Sequence, residues 1–266
     1  MKEQALAQAM RFGDPQRRLN ALREYLQAFI MRSLHESEAG RAVAFVGGTA
    51  LRFLEDLPRF SEDLDFSRVS EEGYEPVRWF AKLKRDLHFA GFDSTIRWIE
   101  REPVQVAWVR TAHLLREAGL SGHARQNLSV KVEIDIRPPA GAAIRRTLVT
   151  RQFTFVISHY DLPSLFAGKL HALLTRGYPK GRDWYDLIWY RSRRPPPAPN
   201  LQLLHNALDQ TQGAGRYRAA DWRALLSARL ADLDTRALAR DVQPFLERPE
   251  DAALLDRANL EDVLAR

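Results

Sequence analysis

A handful of carboxylates and one lysine carry the chemistry that can be read from this 266-residue chain. Asp63 and Asp65 are separated by a single residue. On a strand, alternate side chains share a face, so both carboxylates project together while Leu64 and Phe66 point the other way. Like charges side by side repel unless a cation lies between them. Asp135 is a third candidate. In the stretch 129–136, Val130, Val132, Ile134 and Ile136 alternate with Ser129, Lys131, Glu133 and Asp135. If the two strands are neighbours, three carboxylates converge, and an all-oxygen set of this kind suits a hard cation such as Mg²⁺. Taken alone, an Asp-x-Asp pair fits a solvated strand or turn equally well.

Gly47-Gly48-Thr49 lies 14 residues before Asp63, between an apolar run and a helical pattern. Glycines let a backbone approach a ligand closely, and the amides opening the next helix attract phosphate. The competing reading is a tight strand-to-helix turn with Thr49 as the N-cap. Ser61 and Arg59 just precede Asp63. If the strand reaches back that far, the Ser61 hydroxyl shares the carboxylates' face and can contact a phosphate. Lys169 is one of only six lysines and sits in a largely apolar helical stretch. An ammonium is a compact point charge suited to a moving phosphate, although a lysine snorkelling from an amphipathic helix looks the same. Arg182, Asp183 and Asp186 follow, and the two acids, three residues apart, share a helix face. Either could orient Lys169 or hold a nucleotide, and Asp183 could simply cap its helix.

The elements that must position these groups follow from hydrophobic periodicity. Residues 15–37 read as a helix, with Asp14 as N-cap and Pro15 at the first helical position. Residues 42–46 read as a buried strand, Thr49 to Glu55 as a short helix, 63–67 as a strand and 74–90 as a helix. Two β-like runs flank Pro103, and 129–136 is the clearest strand. Residues 148–157 read as one further strand, and 163–175 and 182–191 as helices. The prolines of Arg191–Asn200 exclude a helix and read as a linker. Residues 201–266 read as helical, with Trp222, Leu225, Leu226 and Leu230 as a packing stripe.

Composition narrows the classes. No cysteine is present, which excludes disulfides, thiolate metal sites and thiol nucleophiles. Apolar residues at 45% with 28% charged residues are ordinary for a globular chain and argue against wholesale disorder. No apolar run approaches the roughly 18 residues of a membrane span, and the polar N-terminus lacks a signal-peptide pattern. A cytoplasmic protein with no membrane partner is therefore expected. The net charge of +6 is uneven: residues 137–194 hold 11 basic and 3 acidic groups, whereas 1–136 are balanced. A clustered basic segment is the footprint expected for a polyphosphate partner. Arg145, Arg146, Arg151, Arg176 and Lys180 are the candidate nucleic-acid contacts. An arginine-biased, solvated surface gives the same charge.

In order, FVGGTALRFLEDLPRFSEDLDFS (45–67), VEIDIRP (132–138) and LFAGKLHALLTRGYPKGRDWYDL (165–187) resemble the AbiEii/AbiGii nucleotidyltransferase-like toxins of the DNA polymerase β-type superfamily. The resemblance spans about residues 40–190. It implies an α/β (α+β) fold, a mixed nucleotidyltransferase sheet flanked by helices, with a C-terminal helical region. The expected division is 1–194 for the nucleotidyltransferase domain and 195–266 after the proline-rich linker. It also implies Mg²⁺, an NTP substrate and nucleotide transfer to an acceptor. That acceptor would be RNA, foremost the 3′ end of tRNA, with a cognate antitoxin as partner. By resemblance, Gly48 and Thr49 match the phosphate loop, Asp63 and Asp65 the metal pair, and Asp135 the third acid. Lys169 matches the essential lysine and Asp183 the acid after it, with Asp186 also fitting. Threonine stands at 49 where many members have serine. Three other readings remain: transfer to a protein side chain, a small-molecule acceptor as in antibiotic-resistance transferases, and a non-catalytic binding module.

Overall fold

The computed structural model describes residues 1–123 and 126–266. The N-terminal part begins with helices α1 (Lys2–Ala9) and α2 (Pro15–Glu36). Strand β1 (Val43–Val46), helix α3 (Gly47–Leu54) and strand β2 (Leu64–Arg68) carry the first motif. Helix α4 (Pro76–Phe89), strands β3 (Ser94–Ile99) and β4 (Val104–Thr111), the short α5 (Leu114–Glu117) and strand β5 (Leu128–Asp135) follow. Strands β6 (Ile144–Val149) and β7 (Phe155–Tyr160) complete one seven-stranded sheet in the order β3-β4-β5-β2-β1-β7-β6. The sheet is mixed: β2 runs parallel to β5 and β1 to β7, while β1–β2, β3–β4 and β4–β5 are antiparallel. The expected single strand over 148–157 is instead the end of β6 and the start of β7, separated by residues 150–154. β6 and β3 are the sheet edges.

Contacts group the chain into two compact units. The first comprises Met1–Asp56, Phe60–Arg137 and Arg145–His159. The second comprises Leu57–Arg59, Pro138–Ile144 and Tyr160–Arg266. None of the boundaries between the units falls in the proline-rich segment. That segment follows α7, lacks regular structure over 193–200 and stays within the second unit.

The first unit is a sheet with helices packed on it. Asp14 caps α2, its carboxylate accepting from the Arg17 amide at 2.7 Å, and Pro15 starts the helix. Leu22, Leu26, Phe29 and Ile30 of α2 are buried, as are Trp79, Phe80, Leu83 and Leu87 of α4. Val130, Val132 and Ile134 of β5 are buried too, as the period of two requires.

The second unit is helical. It contains α6 (Leu162–Thr175), α7 (Gly181–Ser192), α8 (Leu201–Gln212), α9 (Trp222–Ala231), α10 (Thr235–Val242) and α11 (Arg257–Ala265). Phe166 of α6 stacks on Tyr190 of α7 with centroids 4.1 Å apart, and the Trp222 ring meets Phe166 edge-on at 5.8 Å. Trp222, Leu226 and Leu230 are buried as the stripe predicts, with Leu225 half-buried.

The start of α7 is seated on the last turn of α10. The Gly181 amide donates to Asp241 Oδ2 at 2.7 Å. A Cβ at 181 would overlap the Leu238 carbonyl oxygen and lie 2.9 Å from its carbon and 3.1 Å from the Val242 amide nitrogen. These atoms are backbone and cannot rotate away. Gly181→Ala is expected to destabilise the protein by about 3 kcal/mol, the upper end for overpacking. Urea unfolding of the variant checks this, and an unchanged midpoint contradicts it.

Candidate active site

The first cluster lies at the end of β1. Val46 is opposite Asp65 in the antiparallel β1–β2 pair, so the chain leaving β1 turns beside the Asp65 carboxylate. Gly47 has φ of +81°, and a Cβ there would collide with Asp65 Oδ2 and lie 3.1 Å from Asp65 Cβ and Cγ. Only glycine tolerates both the left-handed backbone and that approach. Helix α3 begins at Gly47, two residues earlier than expected, and has no side-chain cap. Thr49 is therefore inside the first turn. It is fully buried, and its hydroxyl donates to the Asp63 backbone carbonyl. Its side chain ties the glycine turn to the acidic segment and faces the interior. Gly48 is buried in the same turn.

Asp63 immediately precedes β2, and Asp65 is its second residue. The strand does not reach Ser61, whose carbonyl accepts from Gln27 Nε2 at 3.0 Å. The shared strand face expected for Ser61 is not formed. On the other side of β2, β5 runs parallel with Asp65 in register with Glu133 and Ser67 with Asp135. Register partners share a face and are neighbours. The structure thus brings Glu133, and not Asp135, beside Asp65. Asp135 lies one side-chain repeat farther along, where its Oδ1 accepts from the Arg137 amide at 2.9 Å. Burial pushes its carboxyl above the ordinary aspartate value, opposed by that amide.

Lys131 lies among these acids. Its ammonium is 3.0 Å from Glu133 Oε2 and 3.5 Å from Asp63 Oδ2, and 5.9 Å from the Trp108 ring centre. Burial alone would lower its pKa, but the hydrogen bond to Glu133 and the charges of Asp63, Glu133 and Asp65 outweigh burial and raise it. Among the described residues, no three or more metal-ligating side chains are gathered tightly enough to enclose an ion. The donor chemistry still fits a hard divalent cation: Asp63, Asp65 and Glu133 offer anionic oxygens on one face. Glu133 and Lys131 were visible in the alternation of 129–136, but nothing local distinguishes Glu133 from Asp135.

The second cluster belongs to the helical unit. Lys169 of α6 places its ammonium 3.0 Å from Asp183 Oδ1 and 2.7 Å from Asp186 Oδ2 of α7. Arg59 grips Asp186 with both ends of its guanidinium, Nε to Oδ1 and Nη2 to Oδ2 at 2.6 Å each. Arg59 is 1% exposed and Asp186 0%. Asp183 also takes Arg176 Nη1 at 2.7 Å. Burial opposes the charge of Asp183 and Lys169 alike. The cations Lys169 and Arg176 nevertheless hold the Asp183 carboxyl below its ordinary value. The acids Asp186 and Asp183 hold the Lys169 ammonium above its own. Arg182 lies over the Phe245 ring at 4.2 Å.

The candidate nucleic-acid contacts divide. Arg145 and Arg146 are exposed on edge strand β6. Lys180 flanks Tyr178, its ammonium 5.6 Å from the ring centre. Arg151 is committed inside the first unit, to Glu24 at 3.2 Å, Asp56 at 3.1 Å and the Arg52 carbonyl at 3.0 Å. Arg176 is engaged with Asp183. Neither is a free contact for an acceptor.

A mixed sheet with a glycine turn against an Asp-x-Asp pair defines a nucleotidyltransferase-like protein. The family model described as nucleotidyl transferase AbiEii toxin, type IV toxin–antitoxin system, matches residues 28–266. The chain belongs to this family and is a nucleotidyltransferase. Protein JHP933 of Helicobacter pylori has a similar fold, with a TM-score of 0.54 and 18% identity over 92% of this chain and 90% of that one. A second H. pylori structure, provisionally described as a nucleotidyltransferase, gives a TM-score of 0.50 and 21% identity over 89% of this chain and 90% of its own. Comparison with curated proteins gives no significant match. Among the described residues, no helix is long and apolar enough to cross a membrane.

Proposed function

We propose that this toxin-family enzyme transfers a nucleoside monophosphate from an NTP to RNA, at the 3′ acceptor end of tRNA, and thereby blocks translation. The observation that carries the reaction class is the Asp65 carboxylate held against Gly47, with Glu133 in register beside it. Asp63, Asp65 and Glu133 would hold Mg²⁺. The bound ion would supply charge neutralisation at the triphosphate and the departing pyrophosphate. The uncapped first amides of α3 bind phosphate oxygens. The acceptor hydroxyl oxygen forms its bond to the α-phosphorus as the bond to the β-phosphate oxygen breaks, and its proton passes to a carboxylate oxygen of the acidic face. Within the second cluster, Lys169 carries the charge that meets phosphate, and Asp183, less enclosed than Asp186, is its functional partner. Asp186 positions Lys169 from a fully buried site. In keeping with the toxin family, a cognate antitoxin restrains the activity.

The acceptor is RNA because the exposed cations Arg145 and Arg146 and the half-buried Lys180 lie in the segment with the excess positive charge. Incubation of the protein with Mg²⁺, total tRNA and each α-labelled NTP in turn tests this. Label is expected in the tRNA band, and is expected to be absent with Asp63→Ala and Lys169→Ala. Acceptor binding is expected to weaken steeply with salt, and less steeply in Arg145→Ala/Arg146→Ala. Label on protein would move the acceptor to a side chain. No label, with no NTP binding, would leave a binding module.

A further inference from the structure

Divalent cations and lysine ammonium groups want the same thing from a carboxylate, and on the acidic face of this protein the lysine is already there. Lys131 stands on β5 between Asp135 and Ser129 in the outward-facing series, one repeat from Glu133. It contacts Glu133 at 3.0 Å and Asp63 at 3.5 Å. Its register partner on β4 is Trp108, whose ring centre lies 5.9 Å from the ammonium. Three neighbours thus fix one side chain, which is only a quarter exposed. A lysine serving solubility alone would extend into water. This one lies across the face instead, bridging the strand that carries Asp65 to the strand that carries Glu133.

We propose that Lys131 is the resident counter-cation of the Asp63–Asp65–Glu133 face, and that divalent-ion binding there is an exchange. The ammonium releases Asp63 as the ion is taken up. This rests on the reading that the face holds the ion. Two like-charged acids flanking Asp65 repel one another when nothing positive lies among them. Lys131 removes that repulsion and keeps the three carboxylates aligned. The same ammonium also competes with the incoming ion, so it sets the affinity. The ion-binding face is stable without an ion, and ion affinity is held down to the level at which an accompanying triphosphate contributes.

The test uses the full chain and Mn²⁺ alone, titrated calorimetrically at low ionic strength into wild type, Lys131→Gln, Lys131→Arg and Asp63→Asn. Lys131→Gln is expected to bind Mn²⁺ about tenfold more tightly, the scale of one charge-assisted hydrogen bond. Lys131→Arg retains the cation and is expected to bind as wild type does. Asp63→Asn is expected to lose binding. Equal or weaker binding by Lys131→Gln, with Asp63→Asn still losing the ion, overturns the exchange while leaving the ion site standing. No Mn²⁺ binding by any of the four proteins overturns both. A measurement on the wild type does not depend on how a variant folds: the side-chain ¹⁵N resonance of Lys131, assigned by its loss in Lys131→Arg, is expected to move as Mg²⁺ is added. A stationary resonance through saturation overturns the proposal.

Discussion

Replacing Arg59 by methionine is expected to destabilise the protein by about 3–5 kcal/mol, the cost of leaving a buried charge without its partner. Asp186 is wholly buried, and its two oxygens each take one nitrogen of Arg59 at 2.6 Å. Methionine fills most of the space but offers no donor. Lys169 remains at 2.7 Å from Oδ2, so Asp186 keeps one cation and loses the bidentate one. The loss should reach Lys169 too, since Asp186 is one of the two carboxylates that hold its ammonium. Guanidinium unfolding measures the first effect, and a midpoint within error of wild type contradicts it. The double variant Arg59→Met/Asp186→Leu separates charge from packing: removing both partners is expected to recover part of the loss, because neither member of the pair is left as a buried charge and Lys169 keeps Asp183 at 3.0 Å.

Gly47→Ala is expected to reduce nucleotide transfer by about a hundredfold or more while leaving the chain folded. The left-handed φ of +81° costs an L-residue on the order of 1–2 kcal/mol. The new methyl must also occupy the place of Asp65 Oδ2, with Asp65 Cβ and Cγ at 3.1 Å behind it. The carboxylate can rotate off the site or the turn can shift, and either moves a group that positions substrate. A displacement of about 1 Å at such a group costs on the order of a hundredfold in rate. The assay is the labelled-NTP incubation with circular dichroism as the folding control. Wild-type transfer by a folded Gly47→Ala protein would show that the approach of Gly47 to Asp65 has no part in catalysis.

Much of this organisation is legible along the chain because it is set by covalent periodicity. The alternation in 129–136 specifies a strand with one buried face, and β5 is that strand. Asp14 followed by Pro15 specifies where α2 begins. The glycine pair and Asp-x-Asp segment mark a strand, short helix and strand, and the order of the three motifs is enough to place the chain in its family. The misreadings share a cause. Thr49 looks like an N-cap by its neighbours in sequence, but its hydroxyl is taken by the carbonyl of Asp63, 14 residues on. Arg151 looks like one more free cation in a basic segment. Its partner Glu24 is 127 residues away.

By itself, the sequence determined which residues could do chemistry: the acids, the glycines, the lysine, and the faces of the elements that carry them. A side chain's face follows from the strand or helix period, and that period is local. Tertiary structure alone decided which of these residues meet. Strand register pairs Asp65 with Glu133 and sets Asp135 opposite Ser67, because sliding a strand by two residues keeps every face the same and changes every neighbour. It likewise separated Asp183 from Asp186. The two share a helix face in any reading, but Asp186 takes the bidentate grip of Arg59, 127 residues earlier in the chain, and Asp183 takes Arg176, while Lys169 touches both.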